Sequence, residues 1–261
     1  MTIVEVKHPQ APVVSRGDLA GIKAGLLKVL PLQSSEDMNE FQIQVHESGA
    51  AAPLQTRVSQ AHRFSTRDRQ TSVVFRPDGL TLETTAYRGW EHFREILSLA
   101  VKVRGDVAPV DGIERIGLRY INEIRVPGSG EPDWSLWVDS SLAAPRPIVG
   151  GVERQSVDQQ AQALYLLDEP NCVLAMRYGA QNRQPFVGTS PLVRKNMPGP
   201  GPFFVLDCDA AWTWAVESGD DVPEATQDFV VTTADDLHGP VQDLFESMIT
   251  ERLREEVLNA N

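Results

Sequence analysis

The sequence predicts an α+β fold: antiparallel β-sheet covered by long helices, arranged as two similar β-rich lobes, each closed by a helix. Three observations predict it. Period-two alternation of apolar and polar residues recurs along much of the chain. Two clusters of turn residues, Pro77-Asp78-Gly79 and Asp168-Glu169-Pro170-Asn171, separate runs with strand character. Each half then ends in apolar residues at helical spacing. The expected lobes are 1–125 and 126–261, with one continuous domain as the alternative.

Taken in order, the opening stretch reads as a strand. Leu19, Ile22, Leu26, Leu27 and Leu30 follow at helical spacing, with Asp18 as cap and Pro31 as stop. Phe41, Ile43 and Val45 share one face of the next run, opposite Gln42, Gln44 and His46. A hairpin through Pro77-Asp78-Gly79 joins "SVVF" to "LTLETTAY", and Trp90, Phe93, Ile96, Leu97 and Ala100 then mark a covering helix. In the second half, "GVERQSVDQQAQALYLLD" and "NCVLAMRYGAQ" flank the turn of the second hairpin. "GPFFVLDCDAAWTW" and "QDFVVTTA" are expected as strands, and Leu237, Val241, Leu244, Phe245, Met248 and Leu253 as the core side of a last helix. Pro240 suits that helix only near its start. Thr84-Thr85-Ala86 and Thr232-Thr233-Ala234 raise an internal repeat without proving one.

Charge narrows the function classes. The 261 residues hold 36 acidic and 24 basic side chains, a formal net charge of -12. Such a surface repels the phosphates of nucleic acid and favours basic or neutral partners. Cys172 and Cys208 lie in apolar strands and read as buried free thiols. The start lacks the pattern of a signal peptide, no run has the length of a membrane span, and a cytoplasmic location is expected. Signature motifs for a nucleophile elbow, a phosphate loop, a dinucleotide fold or a zinc protease are missing. The five histidines (His8, His46, His62, His92 and His238) have no ligand spacing. No catalytic residue, metal or cofactor is therefore assigned.

Two groups of residues remain as candidate sites. In "IERIGLRYINEI", Arg115, Gly117, Arg119, Ile121 and Glu123 take one face, and Ile116, Leu118, Tyr120 and Ile124 the other, with Asn122 as its polar exception. The two arginines stand roughly 13 Å apart across a glycine gap. In "LDCD", Asp207 and Asp209 likewise share a face. Arg115, Arg119, Asp207 and Asp209 could grip a phosphate or carboxylate, the paired carboxylates could hold a divalent ion or act as acid and base, or the arginines could form cross-strand ion pairs with carboxylates such as Asp207, Asp209, Glu83 or Glu153. The ion-pair ladder is favoured, because acids are plentiful and each strand charge needs one partner. The second group is the proline- and glycine-rich stretch 179–202, made locally basic by Arg183, Arg194 and Lys195. A mobile hairpin insertion is favoured there over a loop that grips a partner.

"ERIGLRYINEI", preceded by "YRGWEHFREIL" and followed by "FFVLDCD" and "LHGPVQDLFESMITERLREE", resembles the signature of a sporadically distributed family of bacterial and archaeal proteins. The resemblance runs by pattern order over about residues 40 to 258. The proline-bounded start departs from it. It implies no reaction, substrate or catalytic set. Patchy distribution associates such families with defence, toxin–antitoxin or immunity genes.

The reading placed first is a non-enzymatic protein-interaction module, an antitoxin- or immunity-like partner that masks a basic target, with a homodimer left open. The alternative is a binder of a small or phosphate-bearing ligand, even a hydrolase, using the Arg/Asp strand face.

Overall fold

In β1 (Thr2–Lys7), buried Thr2, Val4 and Val6 alternate with half-buried Ile3, Glu5 and Lys7, as a strand between two neighbours requires. The computed structural model describes residues 1–42, 55–128, 130–156, 158–185, 191–215 and 221–259. Much of the run expected around Phe41, Ile43 and Val45, and His46 with it, lies outside the described residues.

The strands are β2 (Leu32–Gln42), β3 (Gln55–Ser65), β4 (Thr71–Arg76), β5 (Gly79–Thr84), β6 (Arg115–Ile124), β7 (Ile148–Val149), β8 (Val152–Glu153), β9 (Ala161–Leu166), β10 (Cys172–Arg183) and β11 (Gly201–Thr213). Nine of these, counting β1, form one antiparallel sheet in the order β2-β3-β4-β5-β1-β6-β11-β10-β9, and β7 pairs with β8. This corrects the expected fold class. There are not two similar lobes, each closed by a long helix, because β6 pairs with β1 on one side and with β11 on the other. Strands from both sides of residue 125 thereby join in a single sheet.

The helices form a small group rather than two lids. They are α1 (Arg16–Leu26), α2 (Trp90–Val107), α3 (Gln227–Ser247) and the single turn α4 (Glu251–Leu253). Helix α1 packs on α2, α2 on α3, and α3 on β6 and β11. Gly21 and Gly25 permit the first contact. A Cβ at Gly25 would stand 2.7 Å from a methyl of Val103, and one at Gly21 3.0 Å from Val107. Ser15, not Asp18, caps α1, accepting the Asp18 backbone N–H.

Two local expectations fail together at α3. "QDFVVTTA" is its first two turns rather than a strand, so Thr232-Thr233-Ala234 is helical and the suggested repeat loses its second member. Thr226 caps the helix through the Phe229 N–H, and Val230, Ala234, Leu237 and Val241 then point into the core. Burial at that spacing overrides the strand preference of the β-branched residues. Pro240 consequently lies well inside the helix instead of near its start.

The core runs beneath this group, from Val4 and Leu82 through Leu118 and Leu206 to Leu97 and Leu237. Leu118 is fully buried in the middle of β6, an inner strand of the sheet. Leu118→Ala is expected to lower unfolding free energy by about 2–5 kcal/mol in a urea titration. A loss below about 0.5 kcal/mol would show that this part of the sheet is not the structural centre.

Candidate functional site

The face of the sheet that carries Glu5, Arg115 and Arg119 is lined with charge, and most of it is paired. Arg119 reaches diagonally across to Asp207, donating from Nε and Nη2 at 2.8 and 2.6 Å. This fork raises the Arg119 pKa, with burial acting against it. Arg177 on β10 lies 3.8 Å from Asp207 and 3.5 Å from Asp209. Arg115 donates to Glu5 at 2.9 Å, and its guanidinium lies flat over Gly117. A Cβ at Gly117 would stand 2.8 Å from Arg115 Nη1, so the glycine gap is occupied by the arginine two residues before it.

The same pattern continues outward. Arg63 bonds Glu36 at 2.8 Å, Ser72 at 2.6 Å and also Glu83. Burial works against the Arg63 charge, but those carboxylates outweigh it and raise its pKa. Arg115, Arg119, Asp207 and Asp209 are thus on one face, but the two arginines are turned to different carboxylates. An anion bound there would have to displace Glu5 or Asp207. Among the described residues, no group of three His, Cys, Asp or Glu is placed to hold a metal ion.

The loop cations also face the protein. Arg194 donates to Glu123 at 2.6 Å, and Lys195 lies 3.7 Å from Asp68. Between the loop and the sheet, Val193 N–H donates to Arg69 O and Thr85 Oγ1 donates to Val193 O. The described end of the stretch is therefore docked on the β3–β4 turn and the end of β5. Arg183 donates to Gln181 on its own strand.

On the helix side of the sheet, the structure assembles a feature that the sequence reading missed. Tyr87, Trp90, Tyr120, Asn122, His238, Gln242 and Phe245 line a cavity of about 510 Å³ at the junction of α2, α3 and β6. Tyr87 and Tyr120 meet edge to face with centroids 5.3 Å apart, and Trp90 stacks on His238 at 4.5 Å. A hydrogen-bonded chain runs from Tyr87 Oη to Tyr120 Oη at 3.1 Å and on to His238 Nδ1 at 3.2 Å. Burial pushes the Tyr120 pKa up and that of His238 down, with Asp235 and Glu91 opposing the latter. Both rings are held neutral at pH 7. Trp90 Nε1 and Arg94 Nε both donate to Asp235.

A second cavity, of about 420 Å³, adjoins the first, with Asn122 and Phe245 lining both. It opens where β1 stops opposite Tyr120 while β6 runs on to Ile124. Arg125 and Arg194 line it and both donate to Glu123. One signal for the aromatic cavity was present: Asn122, the polar exception on an otherwise apolar strand face, sits at the junction of the two chambers.

No family model matches the chain, and no curated protein matches it. No helix among the described residues is long and apolar enough to cross a membrane. Cys172 and Cys208 are free, and burial pushes the Cys208 thiol up to about 12.

Burial depresses the pKa of His8, His62 and His238 below the ordinary 6.5. The unfolded chain consequently binds more protons than the folded one below pH 6.5. The histidine contribution to stability is complete above that pH and is lost as pH falls beneath it. Asp78 and Asp235 resist a rise from burial and are lowered by Lys7 and Arg94, which adds a second loss below their ordinary 3.8. The melting temperature should therefore fall between pH 7.5 and pH 5.5, and then more steeply in stronger acid. A flat profile down to pH 5.5 would contradict the buried neutral histidines.

Proposed function

We propose that the chain is a non-enzymatic protein-interaction module that takes an extended segment of a basic partner onto the free edge of β9. The carrying observation is the contrast between the two edges of the sheet. At one edge, β2 bears Glu36 and Asp37, the kind of charge that discourages further strand pairing. At the other, β9 reads Ala-Gln-Ala-Leu-Tyr-Leu and has no charged residue. Leu164 and Leu166 are 63% and 83% exposed, on the face shared with Ala175 and Val173 of β10.

An uncharged edge with exposed leucines supplies the two elements of strand addition. Backbone groups give affinity, and alternate side chains give selection. Asp158, Asp168 and Glu169 are exposed at either end of β9, so a partner strand with lysine or arginine outside an apolar centre complements it. The upstream hairpin β7–β8 exposes Ile148, Val149 and Val152 and adds apolar surface to the same stretch of chain. Masking a basic target in the cytoplasm, in the manner of an antitoxin or immunity protein, is the form of this reading that fits the net charge of -12.

A display library of extended peptides should yield binders with alternating apolar residues flanked by Lys or Arg, and their backbone shifts should map to β9. Leu164→Lys with Leu166→Lys should weaken them by about tenfold or more while leaving the melting temperature within a few degrees. Binders that map elsewhere, or that tolerate both lysines, would sink the reading. Self-association lost in the same variant would make a second copy of this chain the occupant.

A further inference from the structure

The charged sheet face is occupied by its own ion pairs, and the β9 edge suits a polypeptide. The connected cavities at the end of β6 have a different chemistry. One chamber is walled by rings: Tyr87, Trp90, Tyr120, His238 and Phe245. Among the described residues lining the two chambers, the charged side chains are Arg125, Arg194 and Glu123, all in the second chamber. Asn122 and Gln242 bring amides to the first, and Asn122 donates through Nδ2 to Leu206 O.

We infer that this cleft binds a flat heteroaromatic ring joined to an anionic group, of the class of a purine nucleoside monophosphate. The ring lies in the aromatic chamber, where stacking tolerates any π face and the side-chain amides meet its polar edge. Tyr87 is the ring with the most open surface, at 39% exposed, and is the wall that a ligand covers. The anionic group lies toward Arg125. That guanidinium spends Nε on Glu123 and rests over the Phe203 ring at 5.0 Å, and its buried Nη2 has no hydrogen-bond partner. A donor without an acceptor takes one when the guanidinium turns into the cavity.

Ring-walled pockets also take quaternary ammonium ions. Here the adjoining chamber carries two guanidiniums, and the Asp235 carboxylate beside Trp90 is engaged by Arg94. The field therefore favours an anionic arm over a cationic head. The placing of the chambers agrees, because the second lies where β6 runs on beyond the end of β1 and shares Asn122 and Phe245 with the first.

Calorimetry on the intact chain tests this with adenosine monophosphate, guanosine monophosphate, adenosine, inorganic phosphate and tetramethylammonium. At least one monophosphate should bind with Kd below about 1 mM, and about tenfold more tightly than adenosine or phosphate alone. Tyr87→Ala should weaken the monophosphate and adenosine alike, by about fivefold or more. Arg125→Gln should remove the advantage of the monophosphate and leave adenosine unchanged. Melting curves on both variants confirm that they fold, and Tyr87→Phe keeps the ring if the alanine variant does not. No monophosphate binding by the folded chain, binding indifferent to both variants, or tighter binding of tetramethylammonium would each overturn the inference. None of these three outcomes depends on the β9 edge, which the Leu164 and Leu166 substitutions address alone.

Discussion

Strand β6 has to satisfy two opposite environments at once, and the rest of the structure depends on how it does so. One face sends Ile116 and Leu118 into the core beneath the helices. The other sends Arg115 and Arg119 to the far side of the sheet, where each finds a carboxylate on a neighbouring strand. Glu5 comes from β1 and Asp207 from β11, so these ion pairs bind β6 to both of its neighbours. Hydrogen bonds to charged groups contribute about 1.5–3 kcal/mol where solvent is excluded. Arg119 is about a third exposed, which discounts its pair toward the low end.

The residues with the most obvious chemistry are thereby committed to holding the sheet together. Arginines and aspartates gathered on one strand face look like a binding surface until their partners are known. Once Arg119 is turned to Asp207 and Arg115 to Glu5, the surface that remains open is of other kinds. It includes an uncharged sheet edge at β9, and a ring-walled cleft where β6 outruns β1. Both sit where the regular pairing of strands ends. An edge and a notch are the two places at which a sheet leaves backbone and side chains without a neighbouring strand.

Local patterns made part of this readable in advance. The turn residues at Pro77-Asp78-Gly79 and Asp168-Glu169-Pro170-Asn171 mark real hairpins, because turn chemistry acts over a few residues. The helix beginning at Trp90 is where its spacing puts it. Pairing between distant strands was not readable. Nothing in Thr2–Lys7 says that it lies between β5 and β6, and that placement decides one sheet rather than two lobes. Val230-Val231-Thr232-Thr233 has strand propensity and helical burial, and the tertiary contact prevails. Tyr120 and His238 are 118 residues apart, so their meeting with Trp90 appears only after folding. A ladder of cross-strand ion pairs was the favoured reading because acids were plentiful, but which acid meets which arginine was not readable: Asp207 for Arg119 and Glu5 for Arg115 follow from the placing of β11 and β1 on either side of β6.

A double-mutant cycle on Arg119 and Asp207 tests the central claim most directly. Unfolding free energies of Arg119→Ala, Asp207→Ala and the double variant should show a favourable coupling of about 1–2 kcal/mol, weakened only modestly by salt because Asp207 is buried. A coupling near zero would mean that the pair does not tie β6 to β11. The Arg/Asp face would then return as a surface available to a ligand.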